Sequence, residues 1–349
     1  MGAGWFLVVS LALALTPLVV GLDGLGFGPA DAQFWWSDRV AAGVEGKAAR
    51  TEGRGPRVIF VGGSSVPFAV RARSLEERIG APVLPYGLNA GLGIDLIARG
   101  AARLIRRGDI VVFAPELQHF RSEGTVNPAL RSDWLVMRGM EGMEDPLGHA
   151  PLRQWTALRS RWSRYRGQVE WETYAAIVRA IARLKGDREW MQFPGPHGYE
   201  TRYVDDDGNV TFPRPGPRSP EQWGAWYVLE VAPENYDFEG SIGVRTLEWL
   251  ARVCAERGAM LMVMPSCHAT PPWVGPEFLE RVSQREEQWM RIADRLGATR
   301  LLEPGATAVG ADGAFDSFQH LNDRGAAAIE ERLAAALRGV VGEARASRE

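Results

Sequence analysis

Ser64 and Ser65 leave an apolar run directly, in the stretch VIFVGGSSVPF (58–68), and that is where a fold can present a serine nucleophile at the end of a strand. A serine hydroxyl is a weak nucleophile by itself and needs a base, usually an imidazole held by a carboxylate. The chain has five histidines: His119, His149, His197, His268 and His320. His320 stands out in GAFDSFQHLNDRG (313–325), just ahead of a final helical pattern, with Asp316 four residues before it. Gly62 and Gly63 would let the backbone turn tightly and leave amide N–H groups for an oxyanion. The same glycines also suit a plain strand-end turn. Both readings stand on this stretch alone, with Ser65 assigned to the turn.

Other chemistries find less support. Neither GGSS nor GLNAGLG carries the spacing of a nucleotide-binding loop. Cys254 and Cys267 are too few for a disulfide scaffold and lack zinc spacing; they read as one disulfide or as two buried thiols. Asp205, Asp206 and Asp207 read as a solvated hairpin, because the calcium-loop pattern is missing. His268 reads as structural, and neither a metal nor a cofactor is expected. A net charge of −3, with basic residues scattered along the chain, gives no reason to expect nucleic acid as a partner.

The elements that must position these residues alternate. Short apolar strands are predicted at 57–62, 81–87, 109–116, 259–265 and 299–303. Helical periodicity follows in NAGLGIDLIARGAARLIRRGD, in 241–258, in 276–297 and from near Asn322 onward. Such alternation implies a parallel sheet covered on both faces, with ligands at the carboxyl ends of its strands. Ser64 and Glu116 each follow a strand and should share that edge.

Two segments stand apart. Trp5 to Leu22 is an uncharged apolar run, at the lower limit for crossing a bilayer. It reads as a membrane anchor with the main domain outside the cytoplasm, or alternatively as a signal segment cleaved near the Ala-Asp-Ala at 30–32. Residues 23–55 read as a linker with one short helix at most. The stretch of about 120–238 holds Trp134, Trp155, Trp162, Trp171, Trp190, Trp223 and Trp226 with proline-rich punctuation, and reads as an insertion over the strand ends.

Taken together, GGSSVPF, YGLNAGLGIDL, GDIVVFAPELQHF and FDSFQHLNDRGAAAI resemble the SGNH/GDSL hydrolase superfamily. They look most like its branch of membrane-anchored proteins that acylate cell-surface polysaccharides, such as the alginate O-acetylation proteins. The resemblance covers roughly residues 57–120 and 240–340. It implies a three-layer flavodoxin-like α/β fold, expected over 56–343 around the Trp-rich insertion that the resemblance does not cover, and an N-terminal membrane helix. It also implies a Ser64 nucleophile, a His320 base, an orienting Asp316, and Gly87 as the glycine after the second strand. Three positions depart from the pattern. Ser317 occupies the place of the acid in Asp-x-x-His, Gly63 replaces the acid of Gly-Asp-Ser, and no third-block asparagine is recognisable. APELQHF offers Glu116, Gln118 and His119 there instead. An ionised Glu116 cannot donate, so the oxyanion hole is expected from backbone amides at Ser64 and Gly87, or from Gln118.

The implied activity is that of a serine esterase or O-acyltransferase, with an acylated carbohydrate or acyl donor as its partner. The alternative is a catalytically weak glycan-binding or assembly protein.

Overall fold

The computed structural model describes residues 32–121, 201–211 and 236–346, with positions 126, 130, 131, 134 and 138 between them. Trp5 to Leu22 and most of the 120–238 stretch lie outside the described residues. No helix among the described residues is long and apolar enough to cross a membrane. The chain divides into two compact units, Met1–Trp35 with Pro128–His197, and Trp36–Asn127 with Gly198–Glu349. In the first, Trp134 is buried and the Arg138 guanidinium lies 5.0 Å from its ring.

The second unit is an α/β structure. Its strands are β1 (Val58–Gly62), β2 (Val83–Gly87), β3 (Ile110–Ala114), β4 (Met260–Val263) and β6 (Thr299–Arg300), in the order β2-β1-β3-β4-β6. Every neighbouring pair is parallel, with Gly62 opposite both Gly87 and Ala114. A separate two-stranded sheet joins β5 (His268–Ala269) to β7 (Ala308–Val309). Every residue of β1, β2 and β3 is buried. Continuous apolar strands of this kind require helices on both faces.

Those helices are α1 (Ala32–Arg50), α2 (Ser65–Ala69), α3 (Ala72–Ile79), α4 (Ile94–Ala102), α5 (Ile242–Arg257), α6 (Pro276–Arg295) and α7 (Asp323–Ala346). Helix α3 connects β1 to β2 in one direction along the sheet, whereas α4 and α5 serve crossovers running the other way. Right-handed crossovers of opposite sense must lie on opposite faces. Accordingly α3 packs with α7, and α4 with α5. Helix α7 turns Ile329, Leu333, Leu337 and Val341 inward at helical spacing.

The stretch expected to be a linker contains α1, a helix of 19 residues. Trp36, Val40, Ala41 and Val44 recur at helical spacing and are fully buried, so this segment is part of the packed body. The three aspartates form a solvated turn, in which Asp205 Oδ1 accepts the N–H groups of Asp207 and Asn209, each at 2.9 Å. Asp206 and Asp207 pair with Arg39 and Arg50 of α1. Cys254 and Cys267 are unpaired and buried, and burial pushes both thiols up to about 12.

A buried ion pair anchors the amino ends of the strands. Arg57 Nη2 and Nε donate to Asp109 at 2.6 and 3.1 Å, while the same guanidinium donates to the carbonyls of Ala48 and Leu104. Asp109 also accepts the Arg106 N–H, so both members of the pair are well partnered. Asp109→Ala would strand the guanidinium in the interior, and a loss of about 3–5 kcal/mol is expected in urea unfolding at neutral pH.

Glu286 of α6 is 2% exposed and accepts the Gly305 N–H at 3.1 Å. Burial raises its pKa from 4.5 to about 7, against the opposing effect of that hydrogen bond. The folded state therefore holds a proton that the unfolded chain releases between those values, and stability falls as pH rises from about 4.5 to about 7. Glu286→Gln should remove this dependence. Its stability advantage should grow by about 3 kcal/mol between pH 4.5 and pH 8, read from unfolding curves across that range.

Candidate active site

Strand β1 ends at Gly62, and the chain must turn at once because its neighbours leave no room. A Cβ on Gly62 would overlap the Ala114 carbonyl, and one on Gly63 would overlap the Glu116 carboxylate. On the other side, a Cβ at Gly87 would stand 2.7 Å from the Gly63 carbonyl and crowd Val66 and Pro67. Ser64 follows in helical conformation, with φ −61° and ψ −21°, at the head of α2. Its side chain is thus delivered at the carboxyl edge where the chain order reverses between β1 and β3, the usual ligand crevice of an open α/β sheet.

His320 arrives from the loop before α7. Ala314 and Leu321 form an antiparallel bridge, and Phe315 donates its N–H to the His320 carbonyl at 2.7 Å. Asn322 locks this loop to the helix. Its Nδ2 donates to the carbonyls of Asp312 and Ala314, and its Oδ1 accepts the Gly325 N–H as a helix cap. The imidazole lies over the Phe68 ring of α2, with centroids 4.0 Å apart and planes 16° from parallel. Phe68 is in turn stacked on Trp36 of α1.

These supports bring Ser64, His320 and Asp316 into one relay. His320 Nε2 is 2.9 Å from Ser64 Oγ, and Nδ1 is 2.6 Å from Asp316 Oδ1. A neutral imidazole carries one N–H. With that proton on Nδ1 and donated to the carboxylate, Nε2 accepts the Ser64 hydroxyl. Ser64 is 3% exposed and His320 4%. The displaced acid reaches the ring because Ser317 Oγ accepts the His320 N–H at 3.2 Å, closing a turn that brings Asp316 alongside.

The third-block residues are all buried. Glu116 Oε1 accepts the Ser65 N–H at 3.3 Å, and Glu116 Oε2 accepts Gln118 Nε2 at 2.6 Å. Ser65 Oγ is buried with no hydrogen-bond partner among the described residues. His119 Nε2 lies 3.4 Å from the Ala90 carbonyl, and burial lowers the pKa of its ring against the raising effect of nearby Glu116. His268 is likewise buried, with Nδ1 3.1 Å from the Ser266 carbonyl. Gly63 and Gly87 line the turn as the spaces into which it folds. A cavity of about 10 Å³, room for one water, lies between Gln118 and Gln319 and is also lined by Ser266, His268 and Glu286.

Sequence reasoning missed Phe68 and Asn322. Phe68 stands one helical turn after Ser64, and Asn322 sits at the cap position of the last helix, so each left a local signal. Among the described residues no cluster of three or more His, Cys, Asp or Glu is placed to hold a metal ion. No family model, characterised protein or solved structure compared with the chain matches it.

Asp316→Asn should leave the fold intact, remove the carboxylate charge and present an amide NH₂ group that favours the wrong imidazole tautomer. The expected result is a fall in kcat on the order of 10³- to 10⁴-fold on an activated ester, with an unchanged thermal midpoint.

Proposed function

We propose that this chain is a serine-dependent acyl-transfer protein of the SGNH type. The observation that carries the reading is the Ser64–His320–Asp316 relay at the carboxyl edge of a parallel sheet. The strand order agrees with a flavodoxin-like arrangement, the finer fold that the sequence motifs imply.

In the first half-reaction Ser64 Oγ attacks the carbonyl carbon of an ester as its proton passes to His320 Nε2. The carbonyl π pair moves onto oxygen. Asp316 stabilises the imidazolium and keeps it oriented. When the tetrahedral intermediate collapses, the ester C–O bond breaks and the leaving alkoxide takes the proton from Nε2, leaving acyl-Ser64. Water or a sugar hydroxyl then attacks the acyl carbon, gives its proton to Nε2, and displaces Ser64 Oγ, which recovers that proton. Water gives hydrolysis and a sugar hydroxyl gives transfer.

The substrate class comes from the resemblance of the motifs: an acylated cell-envelope carbohydrate, acted on by a domain held outside the cytoplasm by the Trp5–Leu22 segment or secreted after its removal. One observation favours the second reading, a catalytically weak glycan-binding or assembly protein. Glu116, a buried side chain, accepts the Ser65 N–H, so that amide beside Ser64 is taken up within the protein.

Labelling with a fluorophosphonate and turnover of an aryl acetate separate the two. The intact protein should label and turn over, and Ser64→Ala should do neither. Labelling that survives in Ser64→Ala would exclude this serine, and an inert wild type would favour the binding reading.

A further inference from the structure

A histidine that acts as general base must carry a positive charge for the lifetime of the tetrahedral intermediate. In the proposed acyl transfer the Ser64 proton passes to His320 Nε2 as Oγ bonds to the acyl carbon, and the ring becomes an imidazolium. That charge forms where solvent can do little for it, because His320 is 4% exposed. Both ring nitrogens are committed, Nε2 to Ser64 at 2.9 Å and Nδ1 to Asp316 at 2.6 Å. Asp316 supplies an opposite charge, yet its side chain is 32% exposed, so solvent screens part of its field. The broadest surface of an imidazolium is the face of its ring, and what lies against that face matters.

We propose that Phe68 is a positioning residue that stabilises the imidazolium form of His320 through the π face of its ring. The inference rests on the acyl-transfer reading of Ser64. An aromatic ring is negative over its faces and positive at its edge, so it attracts a cation above it and repels one beside it. The Phe68 and His320 rings lie 16° from parallel with centroids 4.0 Å apart. Carbon atoms in contact are about 3.5 Å apart, so this separation leaves little room for lateral offset and puts the imidazole over the face. A neutral imidazole in that place gains packing, whereas the imidazolium gains packing and electrostatic attraction. Only the difference between the two forms speeds the reaction.

The Phe68 ring is held so that its face, not its edge, meets the charge. Phe68 is fully buried, and Trp36 of α1 stacks against it with centroids 5.9 Å apart and planes 26° from parallel. Phe315, next to Asp316 on the histidine loop, lies 18° from parallel with it at 6.3 Å. Sequence position delivers the pair. Ser64 caps α2 and Phe68 follows one turn later, so the residue that gives the proton and the ring that meets its charge leave the same side of one helix. A cation over an aromatic face is worth more where water is excluded than at the surface.

The test uses the intact protein with an aryl acetate as probe, reading kcat and KM separately, with thermal midpoints as the control on folding. Replacing Phe68 with phenylalanines that carry one, three and five ring fluorines changes its size little and drains charge from the face in steps. Both half-reactions form the imidazolium, so whichever limits turnover reports on it. kcat should fall at each step, by about 10- to 30-fold for the pentafluoro ring, with KM nearly unchanged. Phe68→Leu keeps an apolar side chain without a π face and should lose at least as much. A platform that only packs would not respond to fluorination. A kcat within twofold of wild type across the fluorinated series would overturn the proposal, as would losses that follow the thermal midpoint and not the fluorine count. Should the wild type neither turn over the ester nor label at Ser64, the acyl-transfer reading fails and this inference falls with it. An active wild type beside an equally active pentafluoro form removes this inference alone.

Discussion

The structure depends on three missing side chains. Gly62, Gly63 and Gly87 meet at the carboxyl ends of β1 and β2, where any Cβ would run into Ala114, Glu116 or the Val66–Pro67 turn. Close packing leaves no slack for compensation, because protein interiors approach crystal density. The chain leaving β1 is therefore pressed against β2 on one side and the β3 exit on the other. Ser64 is the first side chain to emerge from that constriction. Its position is fixed by the sheet itself and not by a loop free to wander. Arg57 and Asp109 perform the matching service at the amino ends, holding the starts of β1 and β3 level so that their carboxyl ends meet in register.

A nucleophile fixed by the sheet is useful only if a base is brought to it with equal precision. Ser64 and His320 are 256 positions apart, and their hydrogen bond closes the longest connection the site contains. Three packing devices share that task. Asn322 ties the histidine loop to α7, whose apolar stripe lies against the same face as α3. Phe68, on the short helix that Ser64 begins, lies flat under the imidazole and fixes the plane of the ring. Behind Phe68 stands Trp36, so α1 supports the base as well as the core. Ser64 and the platform under His320 thus belong to one five-residue helix and its cap.

Much of this was legible in the sequence, and the reasons differ by element. Strands at 57–62, 109–116 and 259–265 are short and apolar on both faces, a pattern that parallel sheets impose and few other structures do. The pairing of Ser64 with His320 was legible because histidines are scarce and this one precedes a helix with an aspartate close by. Helix α1 was read as linker because its glycine and charged residues outweighed the helical spacing of Trp36, Val40, Ala41 and Val44, whose burial the structure shows. The reach of Asp316 was not legible from spacing, since it depends on the turn closed by Ser317. Nor was the arrangement of Glu116 and Gln118. Two acceptors and an amide on a short 3₁₀ segment give no hint of which oxygen faces which donor until the turn at Gly63 is in place.

The site's charge is unequally exposed, and that asymmetry bears on how it can work. Asp316, at 32% side-chain exposure, faces the imidazole from the solvent side, so its charge is partly screened while its hydrogen bond is not. Glu116 is fully buried, where an unshared charge would be felt strongly by anything nearby. Its two oxygens each accept from one donor, the Ser65 amide and the Gln118 amide. In the proposed acyl transfer, attack by Ser64 would place positive charge on the imidazole and negative charge on the acyl oxygen. The first would be met by a carboxylate already in contact. In the proposed reaction, an attacking water and an attacking sugar hydroxyl would pass through the same kind of oxyanion. The choice between hydrolysis and transfer thus belongs to whatever delivers the acceptor, and not to the relay itself.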